Sequence, residues 1–458
     1  MTVNEKEVAR VLTDFFDEDQ VRQVAYQTNF EQRSGSKITG LIFLQAWVFA
    51  GLEHSVLSLN KVAQSCLDLG VQVSSQGLDQ RLSGASVAFM SQMFVAALSH
   101  FVNQIALPLP ILSQFVAVNL YDSSSIPLAE TSAASYPGSG GNASQAILKV
   151  RLAFDFLHQT LRQVILAPGR QSDKNFSDYL QVVQPGSLNI ADLGFFNLSH
   201  FAHIEQGQAY YLSRYQSGTC LFEPDGTAID LLPLLRHHPA PILDQNILLG
   251  KQQRLACRLV AFRLPQAVAD QRRYRAKQAA KRRGKTVSPT TLALLDWSIY
   301  VTNVPDTMLT ADQVALLYRV RWQIELFFKL CKSYCGLRSL EPLRLDRWLT
   351  ELYARLIGLV LLCFITAPLR YSAPNRELSL VQARLICQRF ARLLSKSLGN
   401  LDQVTDTLTD FTHHLLTFGF KQKRRSKPNI CHALALASTV FQLQFSLDQE
   451  VDLLALTP

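Results

Sequence analysis

Residues 147–166 read ILKVRLAFDFLHQTLRQVIL, and this stretch predicts two neighbouring strands joined by a tight turn. β-Branched and aromatic residues recur over Ile147–Phe156 and again over Thr160–Leu166, with the turn at His158 between them. The run Phe115–Tyr121 (FVAVNLY) has the same character and predicts a buried strand that precedes both. Three strands in succession, followed by alternating helical and strand patterns, predict an α/β fold with a mixed sheet flanked by helices.

Two acidic residues directly follow predicted strands of this sheet. Asp122 comes after Phe115–Tyr121, and Asp192 comes after the short run Ser187–Ala191 (SLNIA). Functional side chains of open α/β sheets are commonly found where a strand gives way to a loop. A lone aspartate at such a position is more often a turn or N-cap residue. Both interpretations remain open from these two residues alone.

The segment Leu316–Cys335 (LLYRVRWQIELFFKLCKSYC) predicts an amphipathic helix that carries a polar stripe. At about 100° per residue, the polar side chains of the stripe fall within a sector of roughly 60°. A carboxylate in such a stripe can hold a divalent cation, and its cations can hold phosphate. A solvated helix face with internal ion pairs would give the same pattern. The stripe consists of Tyr318, Arg321, Glu325 and Lys332, with Lys329 close to it.

Taken together, these segments resemble the DDE transposases of insertion sequences, within the insertion-sequence-four family. The Tyr-x2-Arg-x3-Glu-x6-Lys spacing between residues 318 and 332 matches the YREK signature of that family. Asp122 and Asp192 stand in the order of its first two acidic residues, and Arg214 ends a run (YLSRY) similar to the strand that follows them in the family. The resemblance implies a ribonuclease-H-like core with a β-rich insertion and helical N- and C-terminal regions.

The resemblance also implies a mechanism and a set of site residues. Asp122, Asp192 and Glu325 would be the catalytic carboxylates and would hold two Mg²⁺ ions, with Mn²⁺ able to substitute. The enzyme would bind the inverted-repeat ends of its own element, cleave them and join the 3′ ends to target DNA. A hairpin intermediate and a homodimer in a synaptic complex are further implications. The expected DNA contacts on the core are Tyr318, Arg321, Lys329, Lys332, Arg214 and Trp297, the last by stacking on a flipped base or, equally, as a core tryptophan.

The charge of the chain fits a polyanionic partner. The formal net charge is +9 and the isoelectric point is about 9.1, and the excess is concentrated in two runs. Residues 272–285 (RRYRAKQAAKRRGK) hold eight cations and no acids, and residues 421–427 (KQKRRSK) hold five cations. Solvation or a targeting signal could explain either run. Beside a phosphate-chemistry signature, we expect contacts with the DNA backbone from Arg272, Arg273, Arg282 and Arg283.

Cysteine usage and hydropathy indicate a reducing compartment and no membrane. The eight cysteines are scattered, with no CxxC pair and no zinc-site spacing. The first residues, MTVNEKEVAR, predict no secretory signal. The most apolar run, Leu356–Ala367, is about a dozen residues long, which is too short to span a bilayer. We therefore expect a cytoplasmic, nucleoid-associated protein.

Two rival functions remain open. One rival is a non-catalytic DNA-binding protein derived from a transposase, and the other is a structure-selective nuclease on the same fold. Three intact carboxylates argue against the first, and the YREK stripe argues against the second.

Changes of pattern along the chain predict five parts. They are a DNA-end-binding helical region (1–112), the first part of the catalytic core (113–216), a β-rich basic insertion (217–296), the second part of the core (297–368) and a helical, dimerising C-terminal region (369–458).

Overall fold

The structure is a computed structural model, and it describes residues 4–33, 35–102, 106–138, 144–333, 344–372 and 376–421 together with residues 430 and 434. The chain divides into two compact units, each assembled from separated segments. The first unit comprises Met1–Pro108, Ser123–Arg170 and Gln323–His432, and the second comprises Leu109–Asp122, Gln171–Trp322 and Ala433–Pro458. The predicted five-part division remains a prediction, because these units follow contacts and not contiguous segments.

The strands belong to one sheet of ten strands in the order β3-β2-β1-β4-β5-β10-β9-β8-β6-β7. Their bounds are β1 (Val118–Pro127), β2 (Ile147–Asp155), β3 (Thr160–Pro168), β4 (Leu188–Ala191), β5 (Tyr210–Arg214), β6 (Leu221–Phe222), β7 (Ala228–Ile229), β8 (Ile242–Leu249), β9 (Leu255–Arg263) and β10 (Trp297–Thr302).

The α-helices lie before, between and after these strands. Their bounds are α1 (Glu5–Phe15), α2 (Glu18–Gln27), α3 (Gly40–Glu53), α4 (Leu59–Asp68), α5 (Ser75–Gln80), α6 (Gly84–His100), α7 (Leu198–Gln206), α8 (Leu231–His237), α9 (Gln266–Arg282), α10 (Pro289–Leu294), α11 (Ala311–Val320), α12 (Trp322–Ser333), α13 (Leu345–Ser372), α14 (Leu380–Ser397) and α15 (Leu401–Phe418).

The strand order confirms the predicted fold class. β2 and β3 form an antiparallel hairpin, while β1, β4 and β5 are parallel neighbours. The order β3-β2-β1-β4-β5 is that of a ribonuclease-H-like sheet. β10 then pairs antiparallel with β5 and with β9, so the strands of the insertion extend the same sheet. The hairpin turn lies at the predicted place, with Gln159 in the left-handed region at φ 55°.

Three predicted elements differ from the structure. β1 continues to Pro127, and the apolar pattern missed its second half because burial is continuous only over its first four residues, with Ile126 the one buried residue after them. One of the helical patterns expected after the first three strands, over Asp173–Val183, instead forms two 3-10 turns, at Asp173–Asn175 and Asp178–Val182. The Ser172 hydroxyl accepts from the Lys174 backbone N–H there, and such local bonds compete with an α-helix. The basic run of the insertion is helical, since most of it lies in α9.

One helix in the described residues is long and apolar enough to cross a membrane. The candidate stretch, Leu345–Leu369 of α13, has 83% of its most apolar window buried inside the protein. This stretch is longer than the apolar run Leu356–Ala367 that stands out in the sequence. An apolar helix that is buried on most of its surface is typical of a protein core.

The C-terminal end of α3 is held by arginines from two later helices of the first unit. The last carbonyls of a helix lack intrahelical donors and need partners from elsewhere. Arg355 of α13 donates to the carbonyls of His54 (3.3 Å) and Ser55 (3.1 Å), and Arg384 of α14 donates to that of Gly51 (3.2 Å). Arg355 also forms a 2.7 Å ion pair with Glu351, and both side chains are almost fully buried.

We expect Arg355→Met to destabilise the protein by about 3–5 kcal/mol, because it leaves the Glu351 carboxyl buried without its cation. Burial already raises the pKa of Glu351, and Arg355 opposes that rise. Without Arg355 the folded-state pKa rises further, so the destabilisation should grow as pH increases above the unfolded-state value. Denaturant unfolding at pH 5 and pH 8 measures this. The Glu351→Gln/Arg355→Met double variant should be less destabilised than the single variant, and equal destabilisation at both pH values would contradict the account.

Candidate active site

Asp122 and Asp192 directly follow the paired residues of two neighbouring parallel strands. β1 and β4 pair in register from Val118 with Leu188 to Tyr121 with Ala191, and each aspartate is the next residue along the chain. Adjacent strands lie about 4.8 Å apart, and residues in register share one face of a sheet. The two predicted aspartates therefore each lie one residue beyond the last paired residues of neighbouring strands. Asp122 lies within β1 and not at its end, which corrects the sequence prediction for that residue.

The Asp192 carboxyl lies in a partly buried, hydrogen-bonded environment. Its Oδ1 accepts a 2.9 Å hydrogen bond from the Gly194 N–H, so the predicted turn-capping role is also real. Burial raises the pKa of Asp192 above its usual value and Asp173 adds to the rise, while Arg321 and the Gly194 N–H oppose it. A carboxylate whose charge is disfavoured in this way gains from a nearby cation.

Tyr318, Arg214 and Arg321 form a cluster beside Asp192 in the second unit. Tyr318 is only 4% exposed and Arg321 only 3%, so the alternative explanation, a solvated helix face, does not hold for these two residues. The guanidinium carbons of Arg214 and Arg321 each lie 5.9 Å from the centroid of the Tyr318 ring. Burial raises the pKa of Tyr318, and the two arginines oppose the rise, Arg321 also through a hydrogen bond.

The neighbouring strands hold this cluster in place. Tyr300 of β10 packs against Tyr318 with ring centroids 5.2 Å apart, and Tyr300 is paired with Arg214 of β5. The predicted contact of Tyr318 with a phosphate stays a prediction, and the phenol is buried and hydrogen-bonded to Arg321. Arg214 is partly exposed, and its predicted phosphate contact stays a prediction.

The predicted single helix over Leu316–Cys335 is two helices, α11 and α12, which meet at Arg321. Arg321 keeps αR dihedral angles, but it ends the hydrogen-bonded run of α11. Residues 334 and 335 lie outside the described part of the chain. The predicted apolar side is confirmed as buried, since its members are each 2% exposed or less: Leu316, Val320, Ile324, Phe327 and Cys331.

Glu325, Lys329 and Lys332 lie on α12, in the part of that helix that belongs to the first unit. Glu325 and Lys332 are partly exposed and Lys329 is exposed, so the polar side of α12 faces away from the core. Phe327 on the opposite side packs against Phe154 of β2, with ring centroids 5.2 Å apart. This contact fixes the rotation of α12 and hence the direction of its three polar side chains.

The aspartate pair has the donor chemistry for a divalent cation. Among the residues that the structure describes, no three His, Cys, Asp or Glu side chains are close enough to hold one metal ion. Mg²⁺ nevertheless commonly binds through one or two carboxylates and completes its shell with water and substrate phosphate. Two carboxylates that follow the paired ends of neighbouring strands, one of them interacting with a buried arginine, fit such a site.

Trp297 is a core residue of the second unit. It is 6% exposed and lies in an apolar core cluster that includes Leu259 and Val301. The Arg263 guanidinium covers its ring at 4.8 Å from the centroid. Its packing favours the core alternative, because Arg263 already covers the ring, and stacking on a flipped base stays a prediction.

Two of the four predicted backbone contacts in the insertion are used inside the protein. Arg272 is 5% exposed and donates to the Trp297 carbonyl at 3.3 Å and to the Ser298 hydroxyl at 2.9 Å. Arg273 forms ion pairs with Asp270 and Asp296. Their predicted role in binding DNA stays a prediction, and these contacts favour a role in anchoring α9 to the rest of the second unit. Arg282 and Arg283 are exposed, and residues 422–427 of the second basic run lie outside the described residues.

Sequence reasoning missed Asp173 and Tyr179 in the loop after β3. Asp173 is close enough to Asp192 to raise the pKa of that carboxyl. The Tyr179 ring packs against Tyr121, with centroids 4.6 Å apart. An interrupted run with serine and aspartate at 172, 173, 177 and 178 was the available signal for a turn at this place.

Comparison with known proteins agrees with this geometry. A family model described as the transposase DDE domain matches residues 117–361, which is more than half of the chain. The transposase of insertion sequence element IS231F from Bacillus thuringiensis subsp. israelensis is 27% identical over 453 residues, covering 93% of each chain. The transposase of element IS1151 from Clostridium perfringens is 27% identical over 462 residues, covering 94% of this chain and 96% of the relative.

Among solved structures, the piggyBac transposase in a synaptic complex with hairpin DNA is similar at a TM-score of 0.45 and 9% identity, covering 96% of this chain and 87% of that one. A likeness of this size does not by itself establish a shared fold. The match of the family model to residues 117–361 does establish the family. The chain belongs to the transposase DDE domain family and is a cut-and-paste transposase, an enzyme that binds DNA, cleaves it and transfers the cut strands with the help of divalent metal ions.

Proposed function

We propose that Asp122, Asp192 and Glu325 are the catalytic carboxylates of this transposase and that Mg²⁺ is its metal, with Mn²⁺ able to substitute. The observation that carries the proposal is the parallel register of β1 on β4, in which Asp122 and Asp192 directly follow the last paired residues, Tyr121 and Ala191, with the buried Arg321 interacting with Asp192. Glu325 supplies the third carboxylate from the exposed side of α12. Bound metal would assist the attack of water or a DNA 3′-hydroxyl on the scissile phosphate.

The protein side chains then have separate roles. Arg321 holds a non-bridging phosphate oxygen, since a guanidinium forms a bidentate fork that matches phosphate. Tyr318 acts through Arg321, because its buried hydroxyl orients that guanidinium. Arg214, at the same distance from the Tyr318 ring as Arg321, provides a second cation. Lys329 and Lys332 contact backbone phosphates further along the DNA from their position on α12.

The remaining proposals concern the DNA and the assembly. The helical region 1–112 binds the inverted-repeat ends, and its helices begin at side-chain caps that include Asp17, Thr39 and Ser58. Cleavage proceeds through a hairpin intermediate in a synaptic homodimer, whose contacts include the C-terminal region 369–458. The protein acts in the cytoplasm on the nucleoid.

A cleavage experiment on the protein itself tests the metal site. Fe²⁺ bound in place of Mg²⁺ generates hydroxyl radicals with ascorbate and peroxide, which cut the polypeptide near the ion. We expect cuts near residues 122 and 192, suppressed by excess Mg²⁺ and absent in Asp192→Asn. Cuts confined to other segments would contradict the assignment. A rival non-catalytic binder would give no Mg²⁺-sensitive cut at β1 or β4.

The exposed cations of α9 are expected to set part of the salt dependence of DNA binding. Lys277, Lys281 and Arg282 are on the outer part of this helix, whereas Arg273 is held in ion pairs. Replacing the three outer residues by alanine should reduce the slope of log affinity against log salt by about 0.9 for each phosphate that the variant no longer neutralises. Arg273→Ala, from the same helix, is the matched control and should leave the slope unchanged. Equal slopes for wild type and the triple variant would mean that α9 is only solvated.

A further inference from the structure

We propose that Asn189 and Tyr121 are positioning residues for the catalytic metal site, because they fix the register of β1 on β4 and so the spacing of the two aspartates. This inference rests on the proposed role of Asp122 and Asp192. Neither residue is acidic, and neither needs to touch metal or DNA to act in this way. Their effect on the reaction passes through the positions of the two carboxylates.

A buried hydrogen-bond network joins the two strands one to three residues before the aspartates. Asn119 of β1 donates to the Asn189 Oδ1 at 3.1 Å, and the Tyr121 hydroxyl donates to the same oxygen at 2.7 Å. The other end of the Asn189 amide donates to the Ser187 hydroxyl at 3.2 Å and to the Tyr210 carbonyl at 3.0 Å. One side chain therefore links β1, β4 and β5.

The three side chains that join β1 to β4 are buried in the core, and their hydrogen bonds make one register between these strands more favourable than the others. Asn119 is 0%, Tyr121 1% and Asn189 3% exposed. Apolar side chains at these positions would pack with little directional preference, because the hydrophobic effect is non-directional. A hydrogen bond requires a particular donor opposite a particular acceptor. A slip of one residue between β1 and β4 would break both bonds to Asn189 and would turn one aspartate to the other face of the sheet.

The aromatic ring of Tyr179 connects the same network to the residues after Asp192. Tyr179 packs on Tyr121 with ring centroids 4.6 Å apart and meets Phe195 edge-on at 5.7 Å. The Phe195 N–H bonds the Asp192 carbonyl at 3.1 Å. A 3.0 Å hydrogen bond joins the Tyr179 hydroxyl and the His200 Nδ1 and holds the Tyr179 ring in place. The Tyr179 side chain thus contacts both Tyr121, the residue before Asp122, and Phe195, in the turn after Asp192.

The energetics favour a positioning role over simple stabilisation. A buried polar network adds little net stability, and apolar residues of similar shape are often neutral replacements. Within the described residues, the Asn119 Oδ1 is buried and has no hydrogen-bond partner, which is itself a cost. Partners that orient metal ligands, when replaced, typically lower metal affinity by about 10–100-fold. The expected effect of removing the network is therefore on metal binding more than on folding.

Mn²⁺ affinity of the intact chain, measured by electron paramagnetic resonance, tests the proposal. Asn189→Leu keeps the side-chain size and should weaken Mn²⁺ binding by about 10-fold or more. Tyr121→Phe removes the hydroxyl that makes the 2.7 Å bond and should weaken binding by a smaller factor in the same direction. The double variant should resemble Asn189→Leu, because the Tyr121 bond ends on Asn189. The half-saturating Mg²⁺ concentration for DNA cleavage should rise in parallel, while the rate at saturating Mg²⁺ changes little.

Thr302→Val is the matched structural control. Thr302 is fully buried on β10 and donates a 2.6 Å bond to the Tyr211 carbonyl of β5, so its replacement perturbs the same sheet away from the aspartates. It should lower the melting temperature and leave Mn²⁺ affinity unchanged. Wild-type Mn²⁺ affinity in folded Tyr121→Phe and Asn189→Leu would overturn the proposal; if Asn189→Leu does not fold, Tyr121→Phe alone decides. Wild-type affinity in Asp122→Asn would instead overturn the metal site itself.

Discussion

Alanine at Asp122, Asp192 or Glu325 is expected to abolish DNA cleavage and strand transfer while leaving DNA binding largely intact. Each substitution removes a carboxylate proposed to hold metal at the scissile phosphate. Loss of one preorganised electrostatic stabiliser commonly slows an enzyme by about 10²–10³-fold, and loss of a metal ligand should exceed that. Binding should persist because phosphate contacts come from arginine and lysine. Nicking in Mg²⁺ and gel-shift assays on element-end DNA give the two readouts.

The asparagine and glutamine variants Asp192→Asn and Glu325→Gln control for shape and burial. They should be as inactive as the alanine variants, since a neutral amide is a poor ligand for a hard cation. Asp173→Asn is the matched acidic control in the second unit, and it should keep most of the activity. Near-normal nicking by any one alanine variant would remove that residue from the catalytic set.

Arg321→Ala is expected to slow the chemical steps by about 10²–10³-fold, the scale for loss of a charge stabiliser in a closed site. If Arg321 only formed a surface ion pair on its helix, the substitution would cost about 0.2–0.5 kcal/mol of stability with little change in rate. Its 3% exposure and its place between Tyr318 and Asp192 argue for the larger effect. Single-turnover nicking and hairpin formation measure the rate.

The controls for Arg321 separate chemistry from folding. Arg321→Ala also empties a buried position, so melting temperature and rate must be measured on the same preparation. Arg321→Lys should restore only part of the rate, because a bidentate fork becomes a point charge. Tyr318→Phe removes the hydroxyl that orients Arg321 and should fall between wild type and Arg321→Ala. An Arg321→Ala protein that melts normally and cuts at the wild-type rate would contradict a phosphate-holding role.

The strands around the aspartates could be predicted because their chemistry is local. β-Branched and aromatic runs predicted β2, β3 and β4 closely, and the run WSIYVT at residues 297–302 has the same character and forms β10. β1 was predicted too short because its second half is only partly buried, so its apolar signal stops while its hydrogen bonding continues. The placement of Asp122 and Asp192 just after the paired residues of β1 and β4 depends on register between distant segments, which no local pattern contains.

Burial of charged and aromatic residues was the main property that the sequence did not reveal. Arg272 and Arg273 belong to a basic run that looks uniform, yet their positions on α9 turn them toward Ser298 and Asp296. Arg321 and Tyr318 share a helical stripe with Glu325, but only the last is on an exposed part of it. Helical periodicity gives the direction of a side chain, and tertiary packing decides what lies there.

The most direct measurement uses the DNA that flanks the gene on both sides. A donor plasmid carrying both flanks is incubated with the purified chain in Mg²⁺, and strand breaks are mapped at nucleotide resolution. We expect paired breaks at the outer edges of two inverted repeats, followed by joining of the released 3′ ends to target DNA. The breaks should be absent in EDTA and with Asp192→Asn. A folded protein that binds both flanks but cuts neither in Mg²⁺ nor in Mn²⁺ would contradict it.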